Sequence, residues 1–145
     1  MIQEALQLAI TGQDLSEEQA ALVMAEIMEG QATAAQIAGF AVAMRMKGER
    51  TDELCGFVRT MRFKATPVPH NQATLLDTCG TGGSGTHKSN ISTTVAFVAA
   101  GAGAKVAKHG NRAMSSKTGS ADVLTALGVK VDIAPLQVGR CIDEV

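Results

Sequence analysis

The sequence predicts a protein in two parts, a small four-helix segment over residues 1–70 and the first part of an α/β domain with a parallel sheet over residues 71–145. Three observations support this prediction. Apolar residues recur with helical spacing through the first seventy positions. Pro67 and Pro69 then interrupt the helical pattern, and apolar runs of strand length alternate with runs of helical type from there onward. Such alternation is typical of parallel strands joined by right-handed crossovers.

Each predicted helix of the first part has its own start or stop signal. Ser16 and Gln19 form the capping-box pattern ahead of the second helix. The same pattern recurs at Thr33 and Gln36 ahead of the third helix, and the fourth is expected to start at Thr51. The short connections favour an antiparallel arrangement of the four helices. Glycines, which accept left-handed backbone angles, are expected to end the first three helices, at Gly12, Gly30 and Gly48.

The second part is expected to contain three short strands, at residues 74–79, 104–108 and 129–133. The first strand is predicted to be buried, with Cys79 buried at its end. The alternative for Cys79 is a reactive thiol, because it directly precedes the glycine-rich run. Helices are expected at about residues 91–100 and 119–127, with a last helix opened by Pro135, which suits a first helical turn.

Composition excludes several classes of protein. The 145 residues are 46% hydrophobic and 19% charged, a balance that excludes a mainly disordered chain. The net charge is −1 and there is no Trp or Tyr, so no nucleic-acid partner is expected. The sequence has no run of about 20 apolar residues and no signal peptide, so a soluble cytoplasmic protein without a membrane partner is expected. The three cysteines match neither a disulfide framework nor a zinc site and are expected to be reduced thiols.

The helical segment is expected to mediate self-association. Four short helices with Ala- and Met-rich faces are expected to have little core of their own. Some of their apolar surface should therefore pack on another chain or on the part of the protein beyond Val145, and a homodimer through this segment is predicted.

A glycine-rich run in basic surroundings points to an anion site. Residues 78–121 contain no acidic residue, while they hold five Lys or Arg and eight of the fifteen glycines. Within them, GTGGSG at residues 80–85 lies between a predicted strand and a predicted helix, where backbone amides can bind phosphate groups. The alternative is a tight strand-to-helix turn without a ligand, but four glycines in six residues exceed what such a turn needs.

Two familiar nucleotide-binding motifs do not fit this run. Gly80, Gly82 and Gly85 match G-x-G-x-x-G, but the dinucleotide fingerprint also needs an acid about 20 residues later. No acid occurs before Asp122. A P-loop would need Lys after the last glycine, where Thr86 stands. The run is therefore predicted to hold a larger anion in an extended polar loop.

Two specific motifs follow the first two predicted strands, GTGGSGTHKSNIST over residues 80–93 and KHGNRAMSSKTGSAD over residues 108–122. In both motifs the sequence resembles a known family, the anthranilate phosphoribosyltransferases. That family also opens with a small helical segment before a glycine-rich α/β phosphoribosyltransferase domain, whose fold resembles that of the nucleoside phosphorylases. The resemblance implies transfer of a phosphoribosyl group from 5-phosphoribosyl 1-pyrophosphate to anthranilate in tryptophan biosynthesis, with release of pyrophosphate and with Mg²⁺ as cofactor.

The resemblance also implies roles for individual residues. Lys108 and the amides of the glycine loop would hold pyrophosphate, and Ser120 would face it. Ser92 would bind pyrophosphate oxygens or the metal, and no catalytic nucleophile is implied. The residues expected to bind phosphoribosyl pyrophosphate are Gly80, Thr81, Gly82, Gly83, Ser84, Thr86, Asn90, Ser92, Thr93, Lys108 and Ser120, and those expected to bind anthranilate are Gly80, His109 and Asn111.

Several of these residues have structural alternatives. Asn90 and Ser92 could serve only as helix caps, and His109 could be a histidine of the core. Lys105 and Lys117 are expected to be solvated surface charges. For the whole chain, the alternatives are a relative of the nucleoside phosphorylases and a non-catalytic phosphate-binding or helical assembly module.

Two departures from the family bear on function. Ser84 stands where many members carry Asp, which leaves the amide loop intact but changes how the donor is held. Family members are more than twice as long, and their acidic Mg²⁺-binding pair lies beyond Val145. Three parallel strands also leave two unpaired edges. The natural protein is therefore expected to be longer, and this chain alone is expected to be inactive.

Overall fold

Seven helices make up the regular secondary structure of the computed structural model, which describes residues 1–79, 91–110 and 119–145. The chain divides into a first unit, Met1–Thr66, and a second unit, Pro67–Val145. No helix among the described residues is long and apolar enough to span a bilayer. Each helix predicted from the sequence is present. The helices of the first unit are α1 (Ile2–Ile10), α2 (Glu17–Met28), α3 (Ala34–Lys47) and α4 (Thr51–Lys64), and those of the second are α5 (Ile91–Gly101), α6 (Ser120–Ala126) and α7 (Pro135–Glu144).

Two helix starts follow from the side-chain chemistry at their N-termini. Ser16 Oγ accepts the amide of Gln19 at 3.2 Å, and the Gln19 side chain accepts the Ser16 amide at 2.9 Å. Thr33 and Gln36 form the same reciprocal pair, at 3.3 and 2.8 Å. Both predicted capping boxes are confirmed, and each provides partners for amides that the helix itself leaves unpaired.

Glycines end the first three helices, as the sequence predicts. Gly12, Gly30 and Gly48 have φ angles of 73°, 71° and 86°, all in the left-handed region. A residue with a Cβ is strained at such angles, so the chain depends on glycine to leave each of these helices.

The first unit has a hydrophobic core of its own. In it α1 contacts α3 and α2, and α2 contacts α4, so neighbours in space are mostly alternate helices along the chain. Phe40 and Phe57 meet edge to face, with ring centroids 6.1 Å apart. This core is small, as the sequence predicts: three of its eight residues are alanines, and large apolar side chains such as Met46 and Phe63 stay exposed. The buried core residues are Ile2, Ala5, Ala9, Leu15, Val23, Phe40, Ala43 and Met44.

A buried ion pair joins two loops of the first unit. Glu53, in the first turn of α4, is fully buried and accepts the amides of Leu15 at 2.8 Å and Arg50 at 2.7 Å. The ammonium of Lys47, whose side chain is 3% exposed, lies 2.9 Å from this carboxylate and 2.8 Å from that of Asp14. The loop before α2 and the loop before α4 are thereby held together, with both buried charges paired.

The strands predicted in the second unit are reduced to one parallel bridge among the described residues. Leu76 donates its amide to the carbonyl of Lys105 at 2.9 Å and accepts the amide of Ala107 at 3.0 Å, which pairs Leu76 with Val106. Residues 129–133 are described and form no strand. We call the stretches around Leu76 and Val106 the bridged segments. Parallel strands are stable mainly within sheets of several strands whose faces are covered. In the part of the chain described here, the bridged segments pair only with each other.

The predicted burial of the first strand is wrong. Leu76 is 42% exposed, and Cys79 is exposed like the other two cysteines, all of which are free. On α5, Phe97 and Val98 are exposed as well. Apolar runs of this kind become buried only when other layers cover the faces of the sheet, and no described element of the second unit does so.

The start of the second unit is fixed against α7. Gly139 is buried so close to the carbonyl oxygen of Pro69 that a Cβ at this position would collide with it. Asp143, one turn later, accepts the amide of Asn71 at 2.9 Å and the side-chain amide of Gln72 at 3.1 Å. These contacts fix the position of residues 69–72, which lead to the bridge at Leu76.

Candidate functional site

The two runs predicted to bind substrates, residues 80–93 and 108–122, begin at the carboxyl ends of the bridged segments. The first run starts at Gly80, directly after Cys79, and the second starts at Lys108, two residues after Val106. Ligands of parallel sheets bind at this edge. The parallel pairing therefore brings the starting points of both runs to the same edge.

Asp77 connects the ends of the two segments. Its Oδ1 atom accepts the amide of Cys79 at 2.9 Å and the amide of His109 at 3.1 Å. The hydrogen bond from the Cys79 thiol, together with these amides, holds the pKa of Asp77 below its ordinary value. The same bond raises the pKa of the Cys79 thiol. A raised pKa disfavours the thiolate, which is the form of cysteine that reacts as a nucleophile.

The first turn of α5 carries two predicted donor-binding residues, Ser92 and Thr93. Thr78 Oγ1 donates to the carbonyl of Ser92 at 2.8 Å, which ties this turn to the end of the first bridged segment. Thr93 is 4% exposed, and its buried hydroxyl has no hydrogen-bond partner within the described ranges. An unsatisfied buried hydroxyl costs about 1–3 kcal/mol, so this atom suits a ligand oxygen that would complete its bonding.

The second run begins with Lys108 and His109. Lys108 is half-buried, and its ammonium donates to the carbonyl of His109 at 2.8 Å. His109 is exposed, so the alternative of a core histidine is wrong. Ser120, at the start of α6, lies beside this run, since a Cβ on Gly110 would be 3.3 Å from the Ser120 hydroxyl oxygen. The structure thus brings three predicted site residues together.

The other predicted site residues lie outside the part of the chain that the structure describes, and Lys117 does too. Lys105, expected on the surface, is half-buried. The predicted site residues outside the described ranges are Gly80, Thr81, Gly82, Gly83, Ser84, Thr86, Asn90 and Asn111.

Asp77 is the residue of this site that the sequence reasoning missed. In the sequence it marks only the start of the stretch without acids. The signal that could have revealed it is its place, an acid at the end of an apolar run and three residues before a glycine loop. Carboxylates with a perturbed pKa cluster at functional sites, and the pKa of Asp77 is lowered.

A cavity of about 780 Å³ opens beside these residues. Asp77, Lys108 and His109 line one part of it, and apolar side chains that include Val138 and Ile142 line another. Its volume lies within the range of small-molecule sites.

The described residues do not form a metal site by themselves. Among them, no three His, Cys, Asp or Glu side chains are grouped so that they could hold an ion. Asp77 Oδ1 already accepts two amides, and Ser92 offers a single hydroxyl. Because Mg²⁺ is commonly held by one or two carboxylates together with substrate phosphates, an ion here would depend mainly on the oxygens of a bound phosphate ligand.

The two units correspond to two domains of a known class of proteins. Residues 3–65 match the domain described as "Glycosyl transferase family, helical bundle domain". Residues 72–145 match the domain described as "Glycosyl transferase family, a/b domain". The chain therefore belongs to this glycosyl transferase family, with a helical N-terminal bundle followed by the start of the α/β domain.

Individual relatives carry a more specific name. The chain is 55% identical over all 145 of its residues to "Anthranilate phosphoribosyltransferase" of Moorella thermoacetica, of which it covers 43%. It is 59% identical over 135 residues to the protein of the same name from Roseiflexus sp., of which it covers 39%. The crystal structure of anthranilate phosphoribosyltransferase from Thermus thermophilus matches with a TM-score of 0.84 and 46% identity, over 97% of this chain and 43% of that chain. The chain thus spans less than half the length of the relatives it matches.

Proposed function

We propose that the protein containing this chain transfers the phosphoribosyl group of 5-phosphoribosyl 1-pyrophosphate to the amino group of anthranilate, as a step of tryptophan biosynthesis. The observation that carries the proposal is the 55% identity, over the whole chain, to a relative named for this reaction. The chain would contribute the helical segment and the first part of the α/β domain. A cytoplasmic location is proposed with it, because both substrates are small soluble metabolites.

The reaction calls for binding groups rather than a nucleophile. The bond from ribose C1 to the pyrophosphate oxygen breaks, a bond from C1 to the amino nitrogen forms, and that nitrogen loses a proton. Positive charge develops on the ribose while the leaving group is highly anionic, so catalysis rests on positioning and charge stabilisation. The hydroxyls of Ser92 and Thr93 and the ammonium of Lys108 are groups of the required kind.

The unsatisfied hydroxyl of Thr93 supports the donor site. We assign Ser92 and Thr93 to the phosphoribosyl donor, Lys108 and Ser120 to pyrophosphate, and His109 to anthranilate. Among the described residues Thr93 Oγ1 has no hydrogen-bond partner although it is buried, so a donor oxygen could complete its bonding.

Mg²⁺ is proposed as the cofactor that arrives with the donor. Ser92 is its proposed ligand from this part of the protein. The ion would neutralise charge on the departing pyrophosphate. The roles proposed for the other residues do not depend on it.

We further propose that the bridged segments belong to a parallel sheet of the kind found in nucleoside phosphorylases, with residues 129–133 as a third strand. The parallel bridge between Leu76 and Val106 supports this arrangement. In such a sheet the glycine loop and the second run occupy adjacent positions at the carboxyl edge.

Lys108→Ala is expected to weaken pyrophosphate binding by about tenfold, which corresponds to the loss of one charge-assisted hydrogen bond that is partly solvated. Lys105→Ala removes the same charge three residues earlier and is expected to change the dissociation constant by less than about twofold. Isothermal titration calorimetry of both variants with pyrophosphate gives the comparison. Equal effects of the two substitutions would contradict the assignment of Lys108.

Activity is best tested on the full-length protein with donor, anthranilate and Mg²⁺, by following the loss of anthranilate fluorescence. Donor-dependent loss is the expected result. Phosphorolysis of a nucleoside without such loss would indicate a relative of the nucleoside phosphorylases instead. Failure to bind any phosphorylated ligand would indicate a non-catalytic phosphate-binding or assembly module.

We propose that the helical unit forms a homodimer through a groove between α1 and α3. The groove has a volume of about 720 Å³ and is lined mainly by apolar side chains, among them Leu6, Ile10, Val42 and Met46. Met46 is 83% exposed, and Ile10 and Val42 are also exposed. An apolar surface formed by two adjacent helices can pack against the same surface of a second copy about a two-fold axis.

Val42→Glu is expected to convert the dimer into a monomer, because it places a charge in the apolar groove. Val58→Glu is the matched control, since Val58 is an exposed valine of α4 outside this groove. Light scattering at high micromolar concentration should report a dimer for the unchanged chain and for the control. A strict monomer for the unchanged chain would contradict the proposal.

A further inference from the structure

We propose that Asp77 is a positioning residue that sets the spacing between the two substrate-binding runs, 80–93 and 108–122. It acts through the backbone amides of Cys79 and His109 and not through contact with a substrate. The inference rests on the proposed function for the role of the two runs. The hydrogen bonds from the amides of Cys79 and His109 to the Asp77 carboxylate are observed in the structure and do not depend on that proposal.

The hydrogen-bond pattern of the parallel pair shows where Asp77 intervenes. Leu76 exchanges two main-chain hydrogen bonds with the neighbours of Val106, at 2.9 and 3.0 Å. In a regular parallel ladder the next amide of the second segment, that of His109, would donate to the carbonyl of Thr78. It donates instead to Oδ1 of Asp77, at 3.1 Å. A side chain therefore takes the place of the next main-chain acceptor.

This replacement matters because it occurs where both runs begin. Because the His109 amide bonds to a side chain and not to the neighbouring backbone, the main-chain pairing of the two bridged segments ends there. The backbones of the two segments can then diverge beyond this point. The same oxygen accepts the amide of Cys79 at 2.9 Å. Asp77 Oδ1 thus holds both Cys79, which directly precedes the first run, and His109, near the start of the second run.

Charge strengthens the link. A carboxylate accepts backbone amides more strongly than a neutral oxygen does. The Cys79 thiol donates to Asp77, and the positive charge of Lys108 acts on it, so the carboxyl is held in its ionised form and its pKa is lowered. Since Lys108 is a proposed pyrophosphate ligand, a neutral side chain at position 77 would change both the spacing of the runs and the field around that lysine.

The first part of the test needs no ligand. Asp77→Ala is expected to speed amide exchange of His109 and Cys79 by about tenfold, as measured by NMR, because both amides lose their acceptor. Asp77→Asn keeps an acceptor oxygen without the charge and should give a smaller increase. Asp143→Asn is the matched control, since that carboxylate accepts the amide of Asn71 in the same unit. It should leave the exchange of His109 and Cys79 unchanged.

The second part adds pyrophosphate. In the unchanged chain, amides of residues 80–93 and 108–111 are expected to shift together with one apparent dissociation constant. In Asp77→Ala binding should weaken by about tenfold, and the two runs should no longer titrate with a common constant. Asp77→Asn should be intermediate, and the control should behave like the unchanged chain. A general loss of stability would instead weaken binding in Asp77→Ala and Asp143→Asn alike.

The outcomes separate this inference from the proposed function. Unchanged exchange of the His109 amide in Asp77→Ala would overturn the inference whatever the ligand does. Equal loss of pyrophosphate affinity in Asp77→Ala and in the control would overturn it as well. If exchange accelerates in Asp77→Ala while the unchanged chain does not respond to millimolar pyrophosphate, the proposed anion site fails and the link made by Asp77 stands.

Discussion

Lys47→Met is expected to destabilise the helical unit severely at neutral pH. The variant leaves the fully buried carboxylate of Glu53 with only the amides of Leu15 and Arg50 as partners. Removing one member of a buried ion pair costs about 3–5 kcal/mol. That cost is comparable with the whole free energy of unfolding of a unit of this size, about 3–10 kcal/mol. Urea unfolding followed by circular dichroism at 222 nm measures the change.

Two further variants show whether burial is the cause. Arg59→Met removes an exposed ion pair with Glu17, whose partners are 60% and 40% exposed, and should cost at most about 1 kcal/mol. The double variant Lys47→Met with Glu53→Gln is expected to be more stable than Lys47→Met alone, because it leaves no unpaired buried charge. If Lys47→Met were no more destabilising than Arg59→Met, the buried pair would have no special energetic role.

The same pair predicts loss of stability in acid. Burial by itself would raise the pKa of Glu53, but hydrogen bonds from the amides of Leu15 and Arg50 and from Lys47 outweigh it and hold the pKa below the ordinary value of 4.5. A carboxyl with a lower pKa in the folded state contributes stability that is complete above its unfolded pKa and is lost as the pH falls through its folded pKa. The urea midpoint should therefore fall below about pH 4.5, and less steeply in Glu53→Gln.

Gly56→Ala is expected to destabilise the same unit by about 1–3 kcal/mol, although alanine is the better helix former. Gly56 is buried on α4 against α2, and a Cβ there would collide with the carbonyl oxygen of Glu17 and lie 2.9 Å from the Cβ of Ala20. Because a backbone carbonyl cannot rotate away as a flexible side chain can, the two helices would have to move apart. The urea midpoint of the variant should fall.

Gly39→Ala is the matched control for this substitution. Gly39 lies within α3, and a Cβ there would be 3.8 Å from a methyl carbon of Leu6, an ordinary contact. It should stabilise the unit by up to about 1 kcal/mol, through helix propensity alone. Both variants are compared at a concentration that gives the same oligomeric state. If both variants were more stable than the unchanged chain, α2 would not pack tightly against α4 at Gly56.

Much of the fold could be predicted because its signals are local. Ser16, Thr33 and the glycines after the first three helices act within a few residues of their own position, so the sequence alone reveals where those helices begin and end. The glycine-rich run and the second basic run are local in the same sense. Their spacing carries the resemblance to a transferase family, and the comparisons place the chain in a glycosyl transferase family.

Features that depend on distant partners escaped prediction. Glu53 in the sequence is one more acid near a helix start, and only the packed structure brings Leu15 and Lys47 to it. The burial expected of residues 74–79 failed for a related reason. An apolar run is buried by whatever covers it, and the described residues of the second unit do not cover this one.

The sequence by itself determined the helices, their caps and the chemical character of the two runs, because each of these follows from contacts between residues a few positions apart. The tertiary structure decided which helices pack together, which charges are buried and which acceptor receives the amide of His109. Those outcomes depend on distances between residues 32 or 38 positions apart in the chain, as for Asp77 with His109 and Leu15 with Glu53. A hydrogen bond forms or fails over a few tenths of an ångström, and no periodicity of the sequence encodes a distance of that precision across the fold.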